Sequence, residues 1–322
     1  MLEVTAPEYT RDELDAYGPI GRSGWMDVDW HEHMRWVDVD GDAVNVIDLG
    51  GDASRPALVF VHGLGGSWQN WLENLLPFAA THRVVALDLP GFGASPLPRE
   101  RISIPGYAAL LDRLFDRLGI DGAALVGNSM GGLISAELAL RHPQRVERLV
   151  LVSAAGLTPA DRYNPRAFAA FKRLERGLQL AGSQVSTRST ELARRQRLRR
   201  GAFVVVADAP EVLPCALVAE QIKGAGKPGF MAASEALLTY PIRDRVSEIA
   251  CPTLVVWGQR DRLVPVRDAD EYEQLIPNAR KVVYARTGHM PQLERPARFN
   301  TDLRAFLEEE AGEREPAGPT IR

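Results

Sequence analysis

The chain has 322 residues, of which 45% are hydrophobic and 25% charged, and a formal net charge of −4. Such a length accommodates one large α/β domain or a core domain with an insertion, and the composition is that of an ordinary globular protein. The acidic balance excludes a dedicated nucleic-acid binder, which would carry a basic excess, and two cysteines, Cys215 and Cys251, cannot form a disulfide framework and read as buried small apolar residues.

Residues 1–33 read as an N-terminal extension. Met1 to Arg22 carry Glu3, Glu8, Asp12, Glu13 and Asp15 and no apolar leader core, so the expectation is a cytoplasmic protein without a secretory signal. No stretch approaches the ~20 apolar residues of a membrane span, so no integral membrane segment is expected. His31-Glu32-His33 lacks the His-Glu-x-x-His spacing and a third ligand, and no metal is expected there.

Residues 34–39 and 43–49 read as two strands joined by the Asp40-Gly41-Asp42 turn. Ala57 to Val61 is a short apolar run, hence a buried strand, ending at His62-Gly63-Leu64-Gly65-Gly66. Trp68 to Ala80 has helical spacing, and Trp68 and Trp71 read as packing residues. Arg83 to Leu87 is the next strand, closed by the Asp88-Leu89-Pro90-Gly91-Phe92-Gly93 loop, which Asp88 is expected to order. Tyr107, Leu110, Leu111, Leu114 and Leu118 line one face of an amphipathic helix that Gly119 stops.

Ala124-Leu125-Val126 then runs into Gly127-Asn128-Ser129-Met130-Gly131, and a helix-compatible stretch, Leu133 to His142, follows. This is a G-x-S-x-G pattern in strand–turn–helix context, which presents a serine hydroxyl at the top of a sheet. Arg148 to Ser153, 253–257 and Lys281 to Tyr284 complete eight strands. The alternation predicts a mostly parallel sheet with helices on both faces. A helix from Pro296 to Glu309 and a disordered tail, 311–322, close the chain.

Between Gly156 and Ile249 the alternation breaks into helix-like sequence, with Phe203 to Val206 as its one strand-like run. The core is therefore assigned to 34–156 and 250–310, and 157–249 to an inserted helical cap. Arg194, Arg195, Arg197, Arg199 and Arg200 form a basic run within it. Two readings stand: a solvated helix face, or a patch for an anionic substrate or membrane surface.

A serine hydroxyl needs a general base, and the base a carboxylate that fixes its tautomer. In strand–elbow–helix folds the chain order is serine, acid, histidine. Of six histidines, only His289 sits in a terminal loop after a last strand, Arg286-Thr287-Gly288-His289-Met290-Pro291. For the acid, Asp261 follows the 253–257 strand directly. Asp268 and Asp270 fall in a helix-like stretch and read as surface residues, and Ser153-Ala154-Ala155 offers no carboxylate. The oxyanion donors are expected from the amide of Met130 and from the loop at Leu64, with Gly65 as the alternative. His62 reads as structural. The His-Gly-x-Gly-Gly loop lacks the third glycine of a dinucleotide fingerprint (Trp68 stands there), no phosphate-binding loop occurs, and no cofactor is expected.

With the elbow, the His62 loop, Asp88-Leu-Pro-Gly-Phe-Gly-Ala-Ser95, Gly258-x-x-Asp261 and Gly288-His289 in order, the chain resembles the α/β-hydrolase superfamily. The resemblance implies that fold, a Ser129–His289–Asp261 triad and a cap that lines an acyl or alcohol pocket. Gly-Asn-Ser-Met-Gly-Gly is similar to the elbow of meta-cleavage-product hydrolases. Those enzymes carry a tryptophan soon after the histidine, whereas here Met290-Pro291-Gln292-Leu293 follows. The expected function is hydrolysis of small to medium carboxylic esters through an acyl-enzyme. Carbon–carbon hydrolysis of dienoates is the alternative, and a ligand-sensing receptor on the same fold a third reading.

Overall fold

The computed structural model describes residues 8–50, 54–159, 163–182 and 187–309; the expected disordered tail lies outside them. Eight strands form one sheet in the order β1-β2-β4-β3-β5-β6-β7-β8. They are β1 (Met34–Val39), β2 (Asp42–Asp48), β3 (Ala57–Val61), β4 (Arg83–Leu87), β5 (Ala123–Asn128), β6 (Val146–Val152), β7 (Thr253–Gly258) and β8 (Ala279–Tyr284). β1 and β2 pair antiparallel, as do β2 and β4. From β4 across to β8 every pairing is parallel.

β3 and β5 are buried at every position, as apolar strands covered on both faces must be. Two clusters of buried side chains flank the sheet: one gathers Val59, Leu125, Leu149 and Val255, the other Leu58, Val126, Val150 and Val256. The alternation along each strand thus sends consecutive residues into opposite cores. On the first face lie α1 (Ile104–Leu118) and α2 (Met130–Arg141). Ser103 caps α1 at its start, and Gly119 at φ 66° ends it in the left-handed conformation, so the helix stops where its sequence says.

Between β6 and β7 runs a helical insertion: α3 (Pro165–Ala181), α4 (Ser189–Arg194), α5 (Gln196–Phe203), α6 (Cys215–Gly224) and α7 (Phe230–Thr239). α8 (Arg267–Leu275) and α9 (Pro296–Glu308) complete the described α-helices of more than five residues.

Several local expectations are corrected. Phe203–Val206 is no strand: Phe203 ends α5, and the three valines turn out of it, Val206 N donating to Phe203 O at 2.9 Å. A β-branched run makes a strand only where a partner edge is free. Trp68–Ala80 is not one helix but a 3-10 turn at Trp68–Trp71, one α turn at Leu72–Leu75 and a second 3-10 turn at Leu76–Phe78. Its polar side chains are buried and tied elsewhere, Glu73 to Ser23 and Trp25, Asn74 to Asn300 and Asn70 to Gln221. Those tertiary bonds hold the turns in a shape that propensity alone does not specify. Cys215 is exposed at the first turn of α6, and Cys251 is half-buried before β7, so neither is the buried residue expected. Asp268, expected at the surface, is 1% exposed and receives the Thr158 hydroxyl at 2.7 Å and the Thr158 amide at 3.1 Å.

Candidate active site

Parallel strands deliver the loops that follow them to one edge of the sheet. The loops after β3, β5, β7 and β8 therefore meet there, although they lie far apart in sequence. Connections reverse direction between β3 and β5, and such a switch point opens a crevice outside the strand ends. Leu64 stands after β3, Ser129 after β5, Asp261 after β7 and His289 after β8.

At the elbow, Ser129 adopts φ 56° and ψ −116°, backbone that a non-glycine residue takes only under constraint. The constraint is packing. A Cβ on Gly127 would stand 2.3 Å from Gly131 O, and one on Gly131 the same distance from Val61 O. With both glycines bare, the strand turns directly into α2 against the end of β3. The turn is pinned by Ser129 N donating to Val152 O (2.9 Å) and Ala155 N donating to Ser129 O (3.1 Å).

His289 Nδ1 lies 2.7 Å from Asp261 Oδ2, and both side chains are buried. A carboxylate accepts only, so Nδ1 carries the proton and Nε2 keeps its lone pair free. Asp261 is itself fixed, since its Oδ1 accepts the amides of Leu263 (2.8 Å) and Val264 (3.0 Å). Ser129 and His289 line one cavity. Among the described residues no hydrogen bond joins the Ser129 hydroxyl to the imidazole; such contacts commonly tighten on substrate binding.

The Met130 amide opens α2 and, as a first helical residue, has no intrahelical acceptor. The Leu64 amide has no partner among the described residues, and Gly66 N donates to Gly63 O (3.1 Å) to close the turn around it. His62 is buried; it accepts the Leu89 amide at Nε2 (3.0 Å) and donates from Nδ1 to Gly63 O (2.7 Å). Burial pushes its pKa down, which keeps the ring neutral and structural. Asp88 orders its loop as expected, accepting from the Ala94 amide, the Trp68 amide and Asn45 Nδ2, each at 2.8 Å.

Sequence reading missed three parts of this site. Asn128 Nδ2 donates to Val152 O (3.0 Å) and His289 O (3.3 Å), binding the elbow to the histidine loop. Glu294 lies beneath that loop and accepts the amides of Gly288 (2.9 Å), Met290 (3.3 Å) and Asp208 (2.8 Å) and the hydroxyl of Tyr17. Val206 O receives the His289 amide at 3.0 Å, so the segment read as a strand serves as a clamp. The adjacency of Asn128 to the serine was the one sequence signal available; Glu294 and Val206 act through contacts that no spacing reveals.

The cavity measures about 430 Å³ and is walled mostly by apolar side chains, including Phe168, Phe171, Leu178, Leu263 and Met290. The basic run divides. Arg194, Arg195 and Arg200 are exposed, as a solvated face requires, whereas Arg197, though exposed, lines the cavity. Arg199 is buried, donating to the carbonyls of Leu213 and Glu211. Among the described residues no three His, Cys, Asp or Glu side chains converge as a metal site, and no helix is long and apolar enough to cross a membrane.

A family model described as alpha/beta hydrolase fold matches residues 56–296. A dihydrolipoyllysine-residue acetyltransferase component of the acetoin cleaving system from Cupriavidus necator is 32% identical, over 95% of this chain and 79% of its own. A 2-hydroxy-6-oxo-6-phenylhexa-2,4-dienoate hydrolase from Burkholderia cepacia is 30% identical, over 81% of this chain and 91% of its own. Among solved structures, Est816, described as an N-acyl homoserine lactone degrading enzyme, superposes with a TM-score of 0.64 at 30% identity, over 84% of this chain and all of that one.

Proposed function

The chain belongs to the α/β-hydrolase family, and from that premise we propose that it is a serine hydrolase of small to medium carboxylic esters, with Ser129, His289 and Asp261 as its catalytic triad. The observation that carries this reading is the 2.7 Å bond from His289 Nδ1 to Asp261 on the wall of the cavity that Ser129 also lines.

Ser129 Oγ attacks the ester carbonyl while His289 Nε2 takes its proton. The carbonyl oxygen becomes an anion held by the amides of Met130 and Leu64, where losing one donor costs about 3 kcal/mol. The tetrahedral intermediate collapses, the imidazolium protonates the departing alcohol, and the acyl group stays on Ser129. Water, deprotonated by the same imidazole, then attacks the acyl carbonyl and releases the acid, and the proton returns to Ser129. Asp261 remains ionised throughout and holds Nδ1–H.

Carbon–carbon hydrolysis of dienoates is the second reading, favoured by the Burkholderia cepacia relative. Against it stands the absence of a tryptophan after His289. Est816, named for a lactone, a cyclic ester, supports the ester reading. A chain-length series of chromogenic esters run beside a coloured dienoate separates the two. Ester turnover that Ser129→Ala removes is the expected result; loss of dienoate colour without ester turnover would select the other reaction.

A further inference from the structure

Among the described residues the insertion sends one acid into the catalytic cavity. Phe168, Phe171, Leu174 and Leu178 of α3 line the wall, and Glu175 stands among them, 4% exposed. Its Oε2 accepts the Gly226 amide at 2.8 Å. Its Oε1 takes no hydrogen bond among the described residues and faces Gly65, where an added Cβ would lie 3.2 Å away. Gly65, at φ +74°, follows Leu64 in the loop after β3, and a Cβ on Gly63 in that same loop would lie 3.0 Å from Ser129 Cβ. One short turn therefore separates the carboxyl from the nucleophile.

Among the described residues no ion pair reaches the Glu175 carboxyl, although Arg197 and Arg199 line the same cavity. Burial lifts the carboxyl to about 7, and the Gly226 amide opposes that lift. A carboxyl group held dry on an apolar wall is costly unless something completes its hydrogen bonding. A leucine would fill the same space between Phe171 and Leu178 without that cost.

We propose that Glu175 is a specificity-determining residue whose Oε1 accepts a hydrogen bond from a hydroxyl group close to the scissile carbonyl, so that the site selects hydroxylated esters on an otherwise apolar body. This rests on the ester reading of the cavity. Above about pH 7, where the carboxyl is ionised, the hydroxyl needs no counter-ion and supplies the one partner that Oε1 lacks.

Two matched ester pairs test this. The first compares a hexanoate with its β-hydroxy analogue, and the second a propyl with a hydroxypropyl ester. In at least one pair the wild type is expected to favour the hydroxylated member about tenfold or more in kcat/KM, and Glu175→Leu to lose that preference. Glu175→Gln covers the case in which the leucine variant does not fold. Its amide oxygen can keep the Gly226 bond while its NH2 faces the cavity, so its preference moves from the hydroxy toward the matching keto ester. Calorimetric binding of the same esters to Ser129→Ala, with and without the Glu175 change, reads the preference without turnover. A Glu175-dependent binding preference without ester hydrolysis would overturn the ester reading, and with it the selection of ester substrates, and leave only the hydrogen bond from a ligand hydroxyl to Glu175. No preference in either pair, or one that survives both Glu175 changes, overturns it.

Discussion

At the scale of single residues, what could be read in advance was what chemistry forces into chain order. Ser129, Asp261 and His289 each stand at or in the loop that follows a strand, and the structure brings the Asp261 carboxylate and the His289 imidazole within 2.7 Å. Residues that act through tertiary contact had no such mark: Glu294 supports the His289 loop through amides from two different segments. Asp261→Asn tests the orienting role. Its oxygen can still accept the Leu263 and Val264 amides, so the loop keeps its shape, but the NH2 group would face Nδ1 and force the proton onto Nε2. A loss of about 10⁴-fold in kcat with an unchanged circular-dichroism spectrum is expected; a loss below tenfold contradicts it. At the elbow, Gly131→Ala would drive a methyl group to 2.3 Å from Val61 O. The expected cost is about 3 kcal/mol of stability, read as a lower urea midpoint. Full stability in that variant would mean that the turn is looser than described.

At the scale of elements, strands and amphipathic helices were legible because each depends on a local period. The apolar face of α1 and its stop at Gly119 match their sequence signals. Trp68–Phe78 and Phe203–Val206 were not legible, since buried polar bonds shape the first and the lack of a free sheet edge the second. α3 carries its own pH signature. The Glu175 carboxyl is lifted to about 7 by burial, so the folded chain holds that proton more tightly than the unfolded chain does. Its contribution to stability is therefore complete below the unfolded carboxylate range and is lost as pH rises through about 7. Asp268, lifted to about 6 by burial, adds a term of the same sign. Glu175→Gln has no such proton to lose. Its melting temperature is expected to rise relative to the wild type between about pH 5 and about pH 8, and a difference that stays constant with pH contradicts the burial of that carboxyl.

At the scale of the whole molecule, a parallel sheet turns sequence order into spatial convergence. Leu64, Ser129, Asp261 and His289 are brought together because β3, β5, β7 and β8 all point to one edge. This made the family and the candidate site readable from the sequence. The substrate was not readable, because the insertion supplies most of the cavity wall through side chains whose period is simply helical. The central claim is that Ser129 is the atom that bonds to substrate. The most direct measurement is peptide mass spectrometry after reaction with a fluorophosphonate ester probe. One adduct is predicted, on the peptide containing Ser129, abolished by Ser129→Ala together with ester turnover. An adduct elsewhere, or ester turnover that persists in Ser129→Ala, would contradict the account.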